Sequence, residues 1–381
     1  MHHTLVCLAL NHYIHTLPVG ADKSVAVSNR SKVYQHRGAA IKSLSHYVGK
    51  DKTMCSDMSI ASIMMFMSME VSTTNTQTIC IVNSTKRLQL QNPAMADWRS
   101  HASGMKQLVD MRGGFKSLLQ QSPYLAPTLV IYILYTSPLT PTYTNLSLTP
   151  APSILNMANT CSPSWDQLSL SGTPAQNISD ITSVYDQIFP YTLCPPSLFL
   201  SILRTNHLRQ RASALLFAGD FDPTHTLEAH DLLTAIESFS PDDWAQPGEY
   251  AADWRTIGTI YQSAIALYCT MALQSLTILP NSLEMNAMRS VHGDRLLDGL
   301  RSALENERLR GFMIWPLTVA GVEAGYRDGA TRCWIGDKFA KLSRDLGTSS
   351  PLKALAVLRR YWGREEPGWD ECFEKPYVFV I

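Results

Sequence analysis

One short stretch of the chain holds five side chains of the types that bind metals. Carboxylate oxygens and imidazole nitrogens ligate zinc or manganese when several of them converge. The residues are Asp220, Asp222, His225, His230 and Asp231. They are equally typical of a polar loop in front of a helix that Thr224 or Thr226 would cap. The loop and cap interpretation is favoured, so no metal ligand is predicted.

Two acidic segments give a second chemical hypothesis. Residues 242–246, Asp-Asp-Trp-Ala-Gln, and residues 281–284, Asn-Ser-Leu-Glu, look similar to parts of the two magnesium-binding segments of all-helical terpene cyclases. Neither segment holds the full set of oxygen ligands that the metal needs. An all-helical, terpene-cyclase-like enzyme with an unrecognised metal site is therefore kept as the alternative function.

Other patterns that carry chemistry were not found in the sequence. It has no Gly-rich phosphate loop, no Gly-x-Ser-x-Gly and no His-Glu-x-x-His. The group Arg204, Arg209 and Arg211 lacks interleaved aromatic residues, which favours a solvated face over a phosphate site. His101 is interpreted as a half-buried histidine bonded to a neighbouring helix rather than a pH-sensitive ligand. The sequence thus predicts no catalytic residue, no cofactor and no enzyme.

Composition excludes several classes of partner. Lys plus Arg equal Asp plus Glu at 32 each, and charged residues make up 17% of the 381 residues, below the roughly 25% usual in soluble proteins. No footprint for nucleic acid or an anionic membrane is visible in this balance. The eight cysteines lie at least 25 residues apart, which indicates reduced and mostly buried thiols rather than a disulfide framework.

The N-terminal residues do not form a convincing signal peptide. The apolar run Leu5 to Leu10 is shorter than a normal signal sequence core, and no Lys or Arg precedes it. No run approaches the ~20 apolar residues that span a bilayer. The nearest, Leu125 to Tyr135, contains Pro127. We expect a soluble protein without membrane contact.

The clearest helix signals lie between Asn92 and Leu119. Asn92 can cap a helix and Pro93 fits its first turn. One apolar face then follows at steps of three and four residues, through Trp98, Ala102, Met105, Leu108 and Val109. Gly113 can take the left-handed conformation that ends this helix, and a second apolar turn stops near Ser122. A helical hairpin is predicted.

The same periodicity predicts helices along most of the chain. The segments are 33–47, a helix capped by Asp57 that buries Ile60, Ile63, Met64 and Met67, then 198–203, 208–216, 232–239, 254–276, 296–304, a helix opened by Pro316, 335–346 and 355–362. Gly321 and Gly325 indicate that a neighbouring helix approaches closely. The predicted fold is all-α, with tandem helical hairpins stacked into one helical body.

Two segments interrupt this pattern. Residues 71–91 are rich in Thr, Ser, Asn and Gln, a composition typical of loops. Residues 138–180 contain six prolines spaced so that no long helix can form. The second segment is predicted to be a mobile Pro/Ser/Thr-rich loop.

Two blocks of the chain carry a family resemblance. Trp98, His101, Gly104, Leu108 and Arg112-Gly113-Gly114 match the spacing Trp-x-x-His-x-x-Gly-x-x-x-Leu-x-x-x-Arg-Gly-Gly. This resembles the signature of the fungal-specific transcription factor domain, the regulatory region of binuclear zinc-cluster transcription factors. Residues 315–324, 332–335 and 369–373 are similar to the C-terminal part of that family. The resemblance covers roughly residues 36–125 and 185–376.

The resemblance implies a fungal transcription regulator that acts in the nucleus. It implies protein partners in transcription regulation, self-association, a small-molecule effector, and a metabolic or secondary-metabolite gene set. A binuclear zinc cluster needs six thiolates within about thirty residues, and the sequence has no such run. No sequence-specific DNA binding is therefore expected of this chain alone. The expected division is 1–32, a poorly defined N-terminal segment, 33–376, the regulatory domain, and 377–381, a tail.

The family passes quickly from one helix to the next where this chain has residues 71–91. Val71-Ser72 can be encoded as GT-A-AGT, a fungal intron donor, and Gln89 or Gln91 can be encoded as CAG, an acceptor. The segment is therefore either a translated intron or a true surface insertion, which a helical protein tolerates at little cost.

Overall fold

The computed structural model describes residues 2–18, 22–48, 56–73, 107–109, 111–122, 125, 193–219, 222–364 and 367–373. Within these ranges there are thirteen α-helices and two short 3-10 helices, and no β-strand. The all-α prediction is confirmed. The α-helices are α1 (His2–Thr16), α2 (Lys23–Val48), α3 (Asp57–Thr73), α4 (Gly114–Gln121), α5 (Pro196–Ala218), α6 (Thr224–Glu237), α7 (Pro241–Trp244), α8 (Ala251–Gln274), α9 (Leu283–Ala303), α10 (Ile314–Glu323), α11 (Gly329–Leu346), α12 (Ser350–Tyr361) and α13 (Trp369–Cys372). The 3-10 helices are Arg310–Phe312 and Ala324–Tyr326.

The chain forms two compact units, where the sequence predicted one helical body. Unit 1 comprises Met1–Tyr135 and Ser343–Lys353, together with Ile381. Unit 2 comprises Thr136–Leu342 and Ala354–Val380. Most of 71–91 and all of 138–180 lie outside the described residues, as do the Trp98 helix up to Lys106 and the tail 377–381.

In unit 1, α1 and α2 form a helical hairpin. It includes most of the segment 1–32, which the sequence left poorly defined, and it extends to Val48. The buried thiol of Cys7 donates a hydrogen bond to the Val33 carbonyl at 3.3 Å, and Ala40 packs in the same cluster. The helix that was predicted over residues 33–47 is the second half of α2, which begins earlier, at Lys23. Apolar periodicity did not reveal α1, because two of its buried positions, Thr4 and Asn11, are polar.

Helix α3 begins with a hydrogen bond from the Ser59 N–H to the Ser56 hydroxyl at 3.2 Å. Ser56 is thus the cap, and the prediction that Asp57 would cap this helix is wrong. Three of the four predicted core residues, Ile60, Ile63 and Met64, are buried. The side chain of Met67 lies outside the described residues.

The turn at Gly113 agrees with its prediction. Gly113 has φ of +83°, the left-handed conformation that suits glycine, and α4 begins at the next residue. Helix α4 ends before Ser122, whose N–H donates to the Leu118 carbonyl at 2.9 Å. The sequence therefore located both ends of this short helix.

Unit 2 is built around α8. Its residues from Ile260 to Leu273 are all buried, so neighbouring helices cover it on every side. Helices α5, α6, α9 and α10 pack against it, together with α7 and α13. Aromatic packing fixes its position: buried Tyr261 stacks on buried Trp315 with ring centroids 6.3 Å apart.

Two expectations about individual helices have clear outcomes. The segments 198–203 and 208–216 are one helix, α5, because neither Pro nor Gly separates them and Thr205 donates back to the Ser201 carbonyl at 2.8 Å. The close approach predicted at Gly321 and Gly325 is confirmed. A Cβ on Gly321 would overlap Leu358, and one on Gly325 would overlap Tyr361.

Candidate functional site

The metal-like residues before α6 serve as a helix start. Asp222 accepts hydrogen bonds from the Thr224 hydroxyl at 2.7 Å and from its N–H at 2.9 Å. These bonds lower the pKa of Asp222. The prediction that Thr224 or Thr226 would cap α6 is therefore wrong, because Asp222 supplies the capping oxygen.

The structure brings the His225 imidazole within 3.9 Å of the Asp222 carboxylate but does not assemble the rest of that cluster. His225 is buried, whereas His230 and Asp231 are exposed, and Asp220 lies outside the described residues. In the part of the chain that the structure describes, no three His, Cys, Asp or Glu side chains are placed to hold a metal ion.

The two segments behind the terpene-cyclase alternative are also helix starts. Ser240 caps α7 by accepting from the Asp243 N–H at 3.2 Å, and Asp242 lies 3.2 Å from exposed Arg255. Ser282 caps α9 by accepting from the Met285 N–H at 3.2 Å. Both segments thus lie at capped helix starts, and the terpene-cyclase alternative is not favoured.

The three arginines of α5 differ in their exposure to solvent. Arg204 and Arg211 are exposed, as predicted, and Arg211 pairs with Glu228. The prediction of a solvated face is wrong for Arg209, which is buried. Position 209 lies on the face of α5 that packs against α8.

The guanidinium of Arg209 joins three helices of unit 2. It donates to the Ala272 carbonyl of α8 and to the Asp370 carboxylate of α13 at 2.7 Å. The Asp370 N–H donates to the Ser275 hydroxyl at 3.3 Å. A buried charge needs both a partner and hydrogen bonds, and this geometry provides them. We call Arg209, Asp370 and their partners the Arg209 lock.

Burial and charge act in opposite directions on Asp370. Burial raises the pKa of its carboxyl group to about 6, and the adjacent Arg209 limits that rise. Because the two side chains are 4% and 17% exposed, solvent screens their attraction little. We therefore expect the Asp370 carboxyl group to take up a proton as the pH falls through about 6.

Aromatic packing places α13 beside the lock. Trp369 is fully buried and meets the Tyr268 ring edge-on at 4.7 Å between centroids. Phe373, also fully buried, lies 5.1 Å from the Trp369 ring. The C-terminal block 369–373, singled out in the sequence, is thus anchored in the core of unit 2 by two rings and one ion pair.

A second polar cluster lies between α6, α9 and α10 and has no counterpart in the sequence predictions. Buried His292 contacts the Glu237 carboxylate. Buried Glu323 pairs with Arg327 at 2.5 Å, and Arg327 also lies 2.6 Å from Asp294. Burial raises the pKa of Glu323, opposed by Arg327. The spacing of four between Glu323 and Arg327 was the one local signal for this cluster.

In unit 1, the Arg-Gly-Gly turn is tied to the start of α3. Arg112 lies 3.0 Å from the Asp57 carboxylate, and the Ser122 hydroxyl donates to the same carboxylate at 2.8 Å. The signature residues Trp98, His101 and Gly104 lie outside the described residues. The last part of the signature thus has a structural role, joining α3 to the turn before α4.

Two further properties bear on function. Five cysteines are described, none of these five forms a disulfide, and four are buried. Among the described residues, no helix is both long and apolar enough to span a membrane.

Comparison with known proteins decides the family. The model of the fungal specific transcription factor domain matches residues 1–380. The chain belongs to this family. The match confirms the resemblance seen at residues 36–125 and 185–376 and extends it to nearly the whole chain.

One curated relative is 32% identical to this chain over 384 residues. It is the phomenoic acid biosynthesis cluster-specific transcriptional regulator of Leptosphaeria maculans. The alignment covers 99% of this chain, and the chain spans 65% of that relative's length. No solved structure matches the chain.

Proposed function

We propose that this chain is the regulatory part of a fungal transcription regulator. The family match over residues 1–380 carries the proposal. The relative named as a cluster-specific transcriptional regulator supports a biosynthetic gene set as the target. The polar groups of the described sites are engaged in caps and structural ion pairs, which supports action through protein contacts rather than catalysis.

A tethering experiment tests this role. The full chain is fused to a heterologous DNA-binding domain, and transcription of a reporter with the matching operator is measured in a fungal host. We expect transcription to change by about an order of magnitude relative to the DNA-binding domain alone. A reporter that responds equally to both proteins would contradict the regulatory role.

The chain by itself is proposed not to recognise a DNA sequence. Six closely spaced thiolates are needed for a binuclear zinc cluster, and the cysteines here are at least 25 residues apart. A gel shift with purified chain and a pool of promoter fragments tests this. Sequence-selective binding at nanomolar concentration would overturn it.

Action in the nucleus and on a biosynthetic gene cluster follows from the proposed role. A fluorescent fusion of the chain should accumulate in nuclei. Deleting the gene should lower the transcripts of one neighbouring set of biosynthetic genes and leave distant genes unchanged. Self-association and a small-molecule effector stay predictions. Sedimentation tests the first, and ligand-induced shifts of the thermal midpoint test the second.

A further inference from the structure

The hairpin of α1 and α2 is rich in histidine and poor in carboxylates. Six of the chain's 11 histidines lie in residues 1–48, together with five Lys and Arg and a single acidic residue. That residue, Asp22, is exposed and accepts a hydrogen bond from the Ser24 N–H at 2.8 Å. Histidine is the side chain that gains charge between neutral and mildly acidic pH. Positive charge gained in acid therefore meets one carboxylate within the hairpin.

His3 of α1 and His36 of α2 contact each other directly. Their Nδ1 atoms are 2.9 Å apart, and their ring centroids are 5.2 Å apart. A hydrogen bond between two imidazole nitrogens needs a proton on one nitrogen and a lone pair on the other. If both rings were protonated, two N–H groups and two positive charges would face each other at this distance. The pair can therefore carry at most one positive charge while the two helices stay in contact here.

The titratable neighbours of this pair on α1 and α2 are bases. His2 lies beside His3, with ring centroids 5.4 Å apart. Lys32 precedes His36 by four positions and is therefore its neighbour along α2. Helix α3 packs against both α1 and α2, and the one charged group among its described side chains is Asp57, which already forms a salt bridge. A second charge on the pair would thus be added beside another base and a cation.

His15, in the last turn of α1, lies among basic groups. Its Nε2 atom is buried and has no hydrogen-bond partner among the described residues. Burial, and then the charges of Arg30, Lys353 and His12, lower the pKa of His15 to about 4. These groups belong to α2, α12 and α1, so every element that acts electrostatically on His15 contributes a base. A proton added to Nε2 would be buried without an acceptor, and His15 of the closed hairpin therefore stays neutral.

We propose that the hairpin of α1 and α2 is an acid-sensitive element of unit 1, which opens as the pH falls from neutral towards 5. Opening lets His15 and both members of the His3–His36 pair take up protons that the closed hairpin excludes. It also exposes the buried thiol of Cys7, which donates to the Val33 carbonyl across the hairpin at 3.3 Å. The inference rests on residues of unit 1 alone and does not depend on the proposed function.

The direction of the pH dependence follows from the proton balance. Because the pKa of His15 in the closed hairpin is lower than its ordinary value of 6.5, the stability that it confers is present above pH 6.5 and is lost as the pH falls towards 4. At pH 5, opening takes up about one proton at His15 and about one at the His3–His36 pair. Each proton raises the opening equilibrium about tenfold per pH unit. From pH 7.5 to pH 5 the equilibrium should thus rise at least about a hundredfold.

Labelling of Cys7 in the full chain measures this opening. A pyridyl disulfide, which reacts with thiols in mild acid as well as at neutral pH, is added at pH 7.5 and at pH 5, and mass spectrometry follows each cysteine. Each rate is divided by the rate for the urea-unfolded chain at the same pH, which removes the effect of thiol ionisation. We expect the normalised rate at Cys7 to be at least about a hundredfold higher at pH 5 than at pH 7.5.

Cys269 reports on unit 2 in the same sample. This thiol is fully buried in α8. We expect its normalised rate to rise less than about a tenth as much as that of Cys7, because the proposed opening is confined to the hairpin. Equal acceleration at Cys7 and Cys269 would mean that the whole chain unfolds in acid, and it would overturn a local opening.

His15→Gln and His36→Gln each remove one source of proton uptake. We expect the ratio of the normalised Cys7 rates, pH 5 over pH 7.5, to fall about tenfold in each variant. A loss of packing alone would raise both rates and leave their ratio unchanged, so the ratio separates titration from structural damage.

His46→Gln is the matched control. His46 is exposed and lies ten positions further along α2 than His36. We expect its ratio to stay within about twofold of the natural chain. The proposal is overturned by a ratio below about tenfold in the natural chain, by a natural ratio in either His15→Gln or His36→Gln, or by an equal loss in His46→Gln.

Discussion

The substitution Arg209→Met removes the cation of the Arg209 lock and keeps an unbranched side chain. In the natural protein, burial raises the pKa of Asp370 to about 6 while Arg209 limits the rise. Without Arg209 the pKa of Asp370 must rise further, because the opposing charge is gone. The buried carboxyl group of the variant is therefore protonated up to a higher pH than in the natural chain.

The loss of stability follows from two contributions. The folded-state pKa of Asp370 lies above its ordinary value of 3.8, so the stability that this group confers is greatest in acid and is lost as the pH rises through 6. In Arg209→Met the pKa of Asp370 is higher, so the loss of stability continues to a higher pH. At about 1.4 kcal/mol per pH unit, the variant loses up to about 2 kcal/mol more at pH 7.5 than at pH 5.

The second contribution does not depend on pH. The Ala272 carbonyl loses the hydrogen bond that Arg209 donates. A buried acceptor without a donor costs about 1–3 kcal/mol. The total is about 3–5 kcal/mol at pH 7.5 and about 1–3 kcal/mol at pH 5, and the larger value agrees with the loss usual when one partner of a buried pair is removed.

Urea unfolding at pH 5 and pH 7.5 measures both contributions. The natural chain, Arg209→Met, Asp370→Asn and the double variant are compared. The pH-dependent part should vanish when Asp370→Asn is added to Arg209→Met, because no carboxylate is then left to titrate. An equal loss for Arg209→Met at both pH values, or a double variant that keeps the pH dependence, would refute the reasoning.

Three further outcomes are expected. Gly321→Ala should lower the free energy of unfolding by about 1–3 kcal/mol through a clash with the facing helix, whereas Gly329→Ala, with no atom within 4 Å of its Cβ, should leave the thermal midpoint nearly unchanged. Trp98→Ala should cost about 3–5 kcal/mol and His101→Ala less, as urea midpoints would show; equal stability of Trp98→Ala and the natural chain would remove the packing role. Sequenced transcripts should include spliced forms that lack codons for residues 71–91 if this segment is a translated intron, and transcripts that always retain it would exclude the intron.

Local signals were sufficient for most of the helices. The steps of three and four residues from Trp254 to Leu276 predicted α8, which ends at Gln274. Gly113 was expected to be left-handed from its place after a helix, and its φ is positive. These features depend on residues within about one turn of each other, so the sequence alone carries the information.

Caps and helix starts were predicted less well. The sequence offered Asp57 and Thr224 as caps, and the structure uses the neighbouring oxygens of Ser56 and Asp222. Several polar side chains within two residues could serve each helix start. Which side chain accepts the capping hydrogen bond depends on its other partners. Asp57, for example, is already paired with Arg112.

The sequence by itself determined the helical class, the positions of most helices and the family resemblance, because periodicity and motif spacing are local. Tertiary structure alone decided that Arg209 is buried and that Asp370, 161 residues away, neutralises it. It also decided that α1, with polar residues at two buried positions, belongs to unit 1. A charged residue without an opposite charge nearby in the sequence is predicted to lie on the surface. The partner of Arg209 is so distant in sequence that it comes near only when whole helices pack around α8.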